Sequence, residues 1–98
     1  MTAKEIMERA AEIVAGDRQK DYGHPADDFA KTAYLWMGVL LPKLKPGEAI
    51  TPLDVALCMV GVKLSREVNK HKDDNLIDAI GYLLTAAMVV GREGKESQ

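Results

Sequence analysis

Residues 73–91 read DDNLIDAIGYLLTAAMVVG, and the spacing of their apolar members decides the class of fold. Wound at about 100° per residue, Ile77, Ile80, Leu84 and Ala87 form one apolar face and Leu76, Leu83 and Val90 a second. Asp74, Asn75, Asp78, Gly81, Tyr82 and Thr85 share a polar stripe. Strict alternation is absent, so the segment is predicted as a helix over about 74–90, capped by Asp73 or Asp74 and stopped at Gly91. Solvated helix faces usually carry long Lys and Glu. Short polar groups beside a glycine and a tyrosine point instead to a partly enclosed surface.

Working back along the chain, Thr51, Pro52 and Asp54 open a helix over about 52–70, with a cap, a proline at the first position and a capping-box partner. Leu53, Leu57, Val60, Leu64 and Val68 lie to one side of it and Val55, Cys58, Met59 and Val62 to the other. Lys63, Arg66, Glu67 and Lys70 occupy the face between. A helix apolar on two sides is usually sandwiched, here between its own bundle and either the rest of the domain or a second subunit. Cys58 reads as a buried, inert thiol.

Residues 42–50, PKLKPGEAI, hold two prolines and a glycine and form a connector. Before it a helix runs over about 25–41, opened by Pro25, with Asp27 and Asp28 in its first turn and Phe29, Ala33, Trp36, Met37 and Leu40 on its core face. A first helix, about 3–15, begins at the Thr2/Glu5 capping box, buries Ile6, Ala10, Ile13 and Val14, and stops at Gly16. The polar run between these two, DRQKDYGHP (17–25), reads as a turn or loop, and the tail 92–98 as frayed. The fold expected is an all-α, four-helix bundle-like single domain spanning 1–98.

Size then argues for assembly. A chain of 98 residues with a single cysteine buries about 60–65% of its unfolded surface and has no internal disulfide to help, so it is expected to be a homo-oligomer. The net charge of −2, with the signs spread evenly, leaves no basic stripe for nucleic acid. The N-terminus lacks the apolar run of a signal peptide, and the apolar stretches fall short of about 20 clean residues. A cytoplasmic protein without nucleic-acid or membrane partners is the expectation.

Candidate chemistry gathers in two places. The 17–25 loop carries Arg18, Lys20, Tyr22 and His24, which can offer a guanidinium, an ammonium and a ring to a phosphorylated ligand. A plain helix connection looks the same, and His24 alone reads as a turn residue. The second place is the pair of polar faces bearing Lys63, Arg66, Asn75, Asp78 and Tyr82. The bland alternative there is that Asp74 caps, Asp78 pairs with Lys63 or Arg66, and Tyr82 half-buries its ring. His24, His71 and Cys58 give no zinc spacing, and no phosphate loop or Ser-His-Asp arrangement stands out, so no catalytic residue is assigned.

Three blocks, DRQKDYGHPADDF (17–29), ITPLDVALCMVGVKLSRE (50–67) and KDDNLIDAIGYLL (72–84), resemble a family of small bacteriophage and prophage proteins of unassigned function. That family looks distantly related to the MazG-like all-α nucleotide pyrophosphohydrolases, and the resemblance covers about residues 16–90. It implies an oligomeric helical bundle and, in the enzymes, magnesium held by Glu-x-x-Glu on one helix and Glu-x-x-Asp on the next, since a hard cation needs several carboxylate oxygens. Here the second pair reads Asn75-x-x-Asp78, and the first is replaced by Lys63-x-x-Arg66 with Glu67 beside it.

Exchanging carboxylates for Lys and Arg removes the reason for Mg2+ and supplies charge that meets phosphates directly. The expected function is therefore binding of a nucleotide or nucleotide-derived phosphate, such as a cyclic or ADP-ribose-type immune signal of the host, without a cofactor. One alternative is a (d)NTP pyrophosphohydrolase using Mg2+ on Glu67, Asp74 and Asp78. The other is a structural protein whose polar stripes set helix register in an oligomer.

Overall fold

The computed structural model describes residues 1–94. Four long helices carry the chain: α1 (Ala3–Ala15), α3 (Pro25–Leu40), α4 (Pro52–Asn69) and α5 (Asp73–Arg92). Between the first two lies a short helix, α2 (Asp17–Tyr22), and after α3 a 3₁₀ turn over Leu41–Lys43. No strand occurs among the described residues.

Local chemistry places most of the boundaries. Thr2 and Glu5 exchange capping-box bonds at the start of α1, and Thr51 and Asp54 do the same at the start of α4, each pair satisfying two otherwise orphaned N–H groups. Pro25 opens α3, and the N-cap is His24, whose Nδ1 accepts from the Ala26 N–H at 3.0 Å. Three boundaries differ from expectation. Residues 17–22 are helical rather than loop, because Gly16 ends α1 and starts α2 in one residue. A Cβ on Gly16 would lie 2.9 Å from the Glu12 carbonyl oxygen, and Gly23 ends α2 at φ +73°. At α5 neither Asp73 nor Asp74 caps. Lys72 is the N-cap and bonds no N–H with its side chain, and both aspartates sit in the first turn. The helix also passes Gly91 to end at Arg92, which pairs with Asp27 at 2.8 Å. That bond ties the start of the expected frayed tail to α3; residues 95–98 lie outside the described residues.

The helices α4 and α5 form an antiparallel hairpin, α1 lies alongside α5, and α3 packs on one face of the hairpin. Phe29 and Ala33 of α3, Val55 and Ala56 of α4, and Ala86 and Val89 of α5 make the main core. A second cluster joins Ile6 and Ala10 of α1 to Ile77 of α5.

The rotation of α5 is the main correction to the sequence reading. Leu84 and Ala87, expected in the core, are exposed, and Leu83 is half exposed. The polar stripe, expected to be partly enclosed, faces inward: Asn75 and Thr85 are buried, and Asp78, Gly81 and Tyr82 are partly so. Two facts make that tolerable. Small residues on that side, Ala79, Gly81, Thr85 and Ala86, let the neighbouring helices approach closely, and no buried side-chain polar atom is left without a partner among the described residues. The Thr85 hydroxyl, for instance, donates to the Tyr82 carbonyl at 2.8 Å.

Other members of the expected core lie outside as well. Leu40 is at the surface. Cys58 is an exposed thiol rather than a buried one. By length and composition α5 would suffice to cross a membrane, although the apolar run had read as too short. Its first turns carry Asp73, Asp74 and Asp78, and its inward face is the polar one.

Candidate functional site

The sequence-predicted residues separate into two groups about the α4–α5 hairpin. The first centres on Arg18, which α2 carries over the α1–α5 seam. Its guanidinium lies 5.3 Å from the ring centres of Tyr22 and Phe29 and 5.2 Å from that of Tyr82, and an Nη2 to Asp28 distance of 3.4 Å closes an ion pair. Three ring faces and a carboxylate surround this cation. Arg18, Asp78, Gly81 and Tyr82 line a cavity of about 100 Å³ with Ile13 and Ile77. Across from it, Lys63 Nζ holds Asp78 Oδ2 at 3.1 Å. Arg18, Asp78 and Tyr82 therefore converge, with Lys63 behind them. The cavity falls well below the roughly 300–1,000 Å³ of small-molecule sites.

The second group sits at the turn between α4 and α5. Ser65, Arg66, Asn69, Lys70, Lys72 and Asn75 line an open groove of about 360 Å³. Three of the six lining side chains are cations and the other three are short polar groups. Beneath them Glu67 works as a strut. Its Oε1 accepts from the Lys72 N–H at 3.0 Å and from Asn75 Nδ2 at 3.3 Å, and its Oε2 bonds His71 Nδ1. Asn75 also donates to the Lys70 carbonyl at 3.3 Å, so the turn 70–72 is held in one shape. The His71 bond, followed by the Lys72 N–H, keeps the Glu67 carboxyl below the usual carboxylate range, and the same bond pushes His71 above the usual histidine value.

Lys20 and Tyr22 are exposed and His24 is engaged in its cap, so the 17–25 segment presents no common ligand face with Arg66 and Asn75. Ser65, Asn69 and Lys72 had not been singled out. Lys72 follows Lys70 and His71 in KHK (70–72), between the helices, where periodicity says nothing.

The carboxylates expected to take magnesium do not form a set. Glu67 is occupied at both oxygens, Asp78 is ion-paired with Lys63, and Asp74 is exposed. No group of three or more His, Cys, Asp or Glu suited to a metal occurs among the described residues.

In sequence the chain is similar to proteins of bacteriophages. A family described as a domain of unknown function (DUF6378) matches residues 5–90. The chain is 35% identical over 78 residues to the Gene 55 protein of Mycobacterium phage L5, covering 79% of this chain and 47% of that one. It is 32% identical over 81 residues to the Gene 55 protein of Mycobacterium phage D29, covering 82% and 50%. The chain thus spans about half the length of the curated relatives it matches. No solved structure matches it.

Proposed function

The chain belongs to the DUF6378 family, and we propose that it is a binding module for a nucleotide or nucleotide-derived phosphate, including cyclic and ADP-ribose-type molecules. The observation that carries this reading is the groove at the α4–α5 turn, where Arg66, Lys70 and Lys72 stand with no carboxylate among the lining side chains. Guanidinium and ammonium groups on a braced turn suit phosphate oxygens, and the neighbouring Ser65, Asn69 and Asn75 can hydrogen-bond a sugar or base. The groove volume falls in the range of a small-molecule site, which that of the Arg18 cavity does not. Arg18, Tyr22 and Tyr82 then act as structure, their charge and rings satisfying one another.

Similarity to phage proteins suits a role in the bacterial host cytoplasm, sequestering a host nucleotide signal. The distant MazG-like resemblance supports nucleotides as the ligand class more than it supports hydrolysis. The donor set does not fit magnesium, because the Glu67 oxygens and Asp78 already serve the hairpin, and Lys63 stands where an acid would be needed.

Calorimetry in EDTA with ATP, a cyclic dinucleotide and ADP-ribose tests the proposal. Micromolar binding that weakens with salt is expected, with a loss of about tenfold for each of Arg66→Ala and Lys72→Ala, equivalent to about 1.4 kcal/mol apiece. Absence of heat across the panel at high micromolar protein overturns it. Phosphate release with magnesium that collapses in Asp78→Asn would favour the hydrolase. Loss of assembly, with ligand binding intact, in Lys63→Ala and Asp78→Ala would favour the structural reading.

A further inference from the structure

Taking the groove at the α4–α5 turn as the ligand site proposed above, we infer that it grips a chain of adjacent phosphates and leaves any attached base unread. Its ligands are then di- and triphosphates, whether nucleotides of any base or inorganic polyphosphate.

The cations account for the phosphate chain. Arg66 and Lys70 stand one helical turn apart, the Lys70 N–H still bonded to the Arg66 carbonyl at 3.1 Å, and the Lys72 N–H is fixed on Glu67 at 3.0 Å. Their backbones are braced, yet none of the three side chains enters an ion pair among the described residues. Arg18, Lys63 and Arg92, by contrast, each hold an aspartate. The carboxylates of the turn, Glu67 and Asp73, both face His71. Three positive charges therefore meet in a groove of about 360 Å³ with no carboxylate in its lining. A sphere of that volume is about 9 Å across, close to the roughly 8 Å screening length of physiological salt, so the three repel one another. A phosphodiester brings one negative charge and leaves most of that repulsion in place. Adjacent phosphates bring several within the same span, with oxygens that suit a guanidinium fork and an ammonium.

The rest of the lining accounts for the unread base. Proteins that read a base stack it on a ring and bond its edge. No ring lines this groove. Tyr22, Phe29 and Tyr82 surround Arg18, Trp36 packs on the main core, and Tyr34 lies on α3. The His71 imidazole is held between Glu67 and Asp73 and is not part of the lining. A base laid on the Arg66 guanidinium is accepted whatever its identity, since every base has a π face. The edge-bonding groups are equally tolerant. Asn75 has its amide donors on Glu67 and the Lys70 carbonyl, both at 3.3 Å, which leaves only its oxygen, an acceptor suited to a ribose hydroxyl. Ser65 and Asn69 are exposed and can each donate or accept, so they fit one base edge as well as another. A site built to hydrogen-bond one group rejects the analogue lacking it by about 10⁴-fold, and this lining is not built that way. A nucleic-acid strand fits less well, because its backbone needs a basic track and the chain carries a net charge of −2.

Calorimetry on the 98-residue chain in EDTA, with ATP, GTP, CTP, inorganic triphosphate, AMP and a cyclic dinucleotide, tests this. The four triphosphates are expected to bind within about threefold of one another, and AMP and the cyclic dinucleotide at least about tenfold more weakly. Lys70→Gln, at an exposed side chain, is expected to weaken all four triphosphates by one common factor of about tenfold, and Lys70→Arg to retain them. Circular dichroism confirms that both variants stay helical. A preference above about tenfold for one base, or for ATP over inorganic triphosphate, overturns the inference while nucleotide binding in the groove survives. So does AMP or the cyclic dinucleotide bound as tightly as ATP. Triphosphate binding unmoved by Lys70→Gln places the ligand elsewhere and overturns both the inference and the groove as the site, as does silence across the panel. A single-stranded oligonucleotide without a terminal triphosphate that binds as tightly as ATP overturns the inference in favour of a nucleic-acid backbone.

Discussion

Glu67 shows how much one side chain can organise. It faces partly inward on a helix otherwise flanked by cations, and its bonds to His71, Lys72 and Asn75 shape the turn that carries the groove. The raised His71 value contributes stability below the unfolded-state value, lost as pH climbs through the raised one. The lowered Glu67 value contributes stability above the usual carboxylate range, lost as pH falls through the lowered one. The brace is therefore strongest in the mildly acidic window between the two. An NMR titration is expected to place His71 above 6.5, and Glu67→Gln to bring it back toward that ordinary value. Unmoved His71 resonances in the variant would show that the bond does not govern the histidine. Phe29, 3% exposed, bridges Arg18, Tyr82 and the core. Phe29→Ala is expected to cost about 3–4 kcal/mol in urea unfolding, a large share of the roughly 5–15 kcal/mol available to a domain.

At the scale of elements, the helix starts obey their own local chemistry. Thr51→Ala removes a capping box at α4 and is expected to cost about 1 kcal/mol, read as a lower midpoint in urea with an unchanged slope. Gly38 lies within α3 with a helical backbone, and a Cβ there meets nothing within 4 Å. Gly38→Ala is expected to stabilise by about 0.5–1 kcal/mol, and a destabilised variant would mean that α3 uses the gap. The capping boxes and proline starts were legible beforehand because they depend on three or four consecutive residues. The helix over 17–22 was not, since one polar turn has no apolar period to betray it. The missing cap on α5 belongs with it: two aspartates near a helix start look alike whether they cap or occupy the first turn.

At the scale of the molecule, the question is which face of each helix meets another. Four long helices, their order and their approximate ends follow from periodicity and caps, and an all-α fold follows from those. So did the grouping of Asn75, Asp78, Tyr82 and Thr85 on one stripe, because helical spacing alone puts them there. Whether that stripe points in or out does not follow. Both sides of α5 can be buried, and the winner is set by what α4 and α1 offer across the gap: Lys63 for Asp78, Glu67 for Asn75, and Val14 against Gly81. The same packing sent Leu83, Leu84 and Cys58 outward and split the candidate residues between a small cavity at Arg18 and a larger groove at Arg66. Periodicity reports angles within a helix. The direction those angles face is a property of pairs of helices, fixed by partners far apart in the chain.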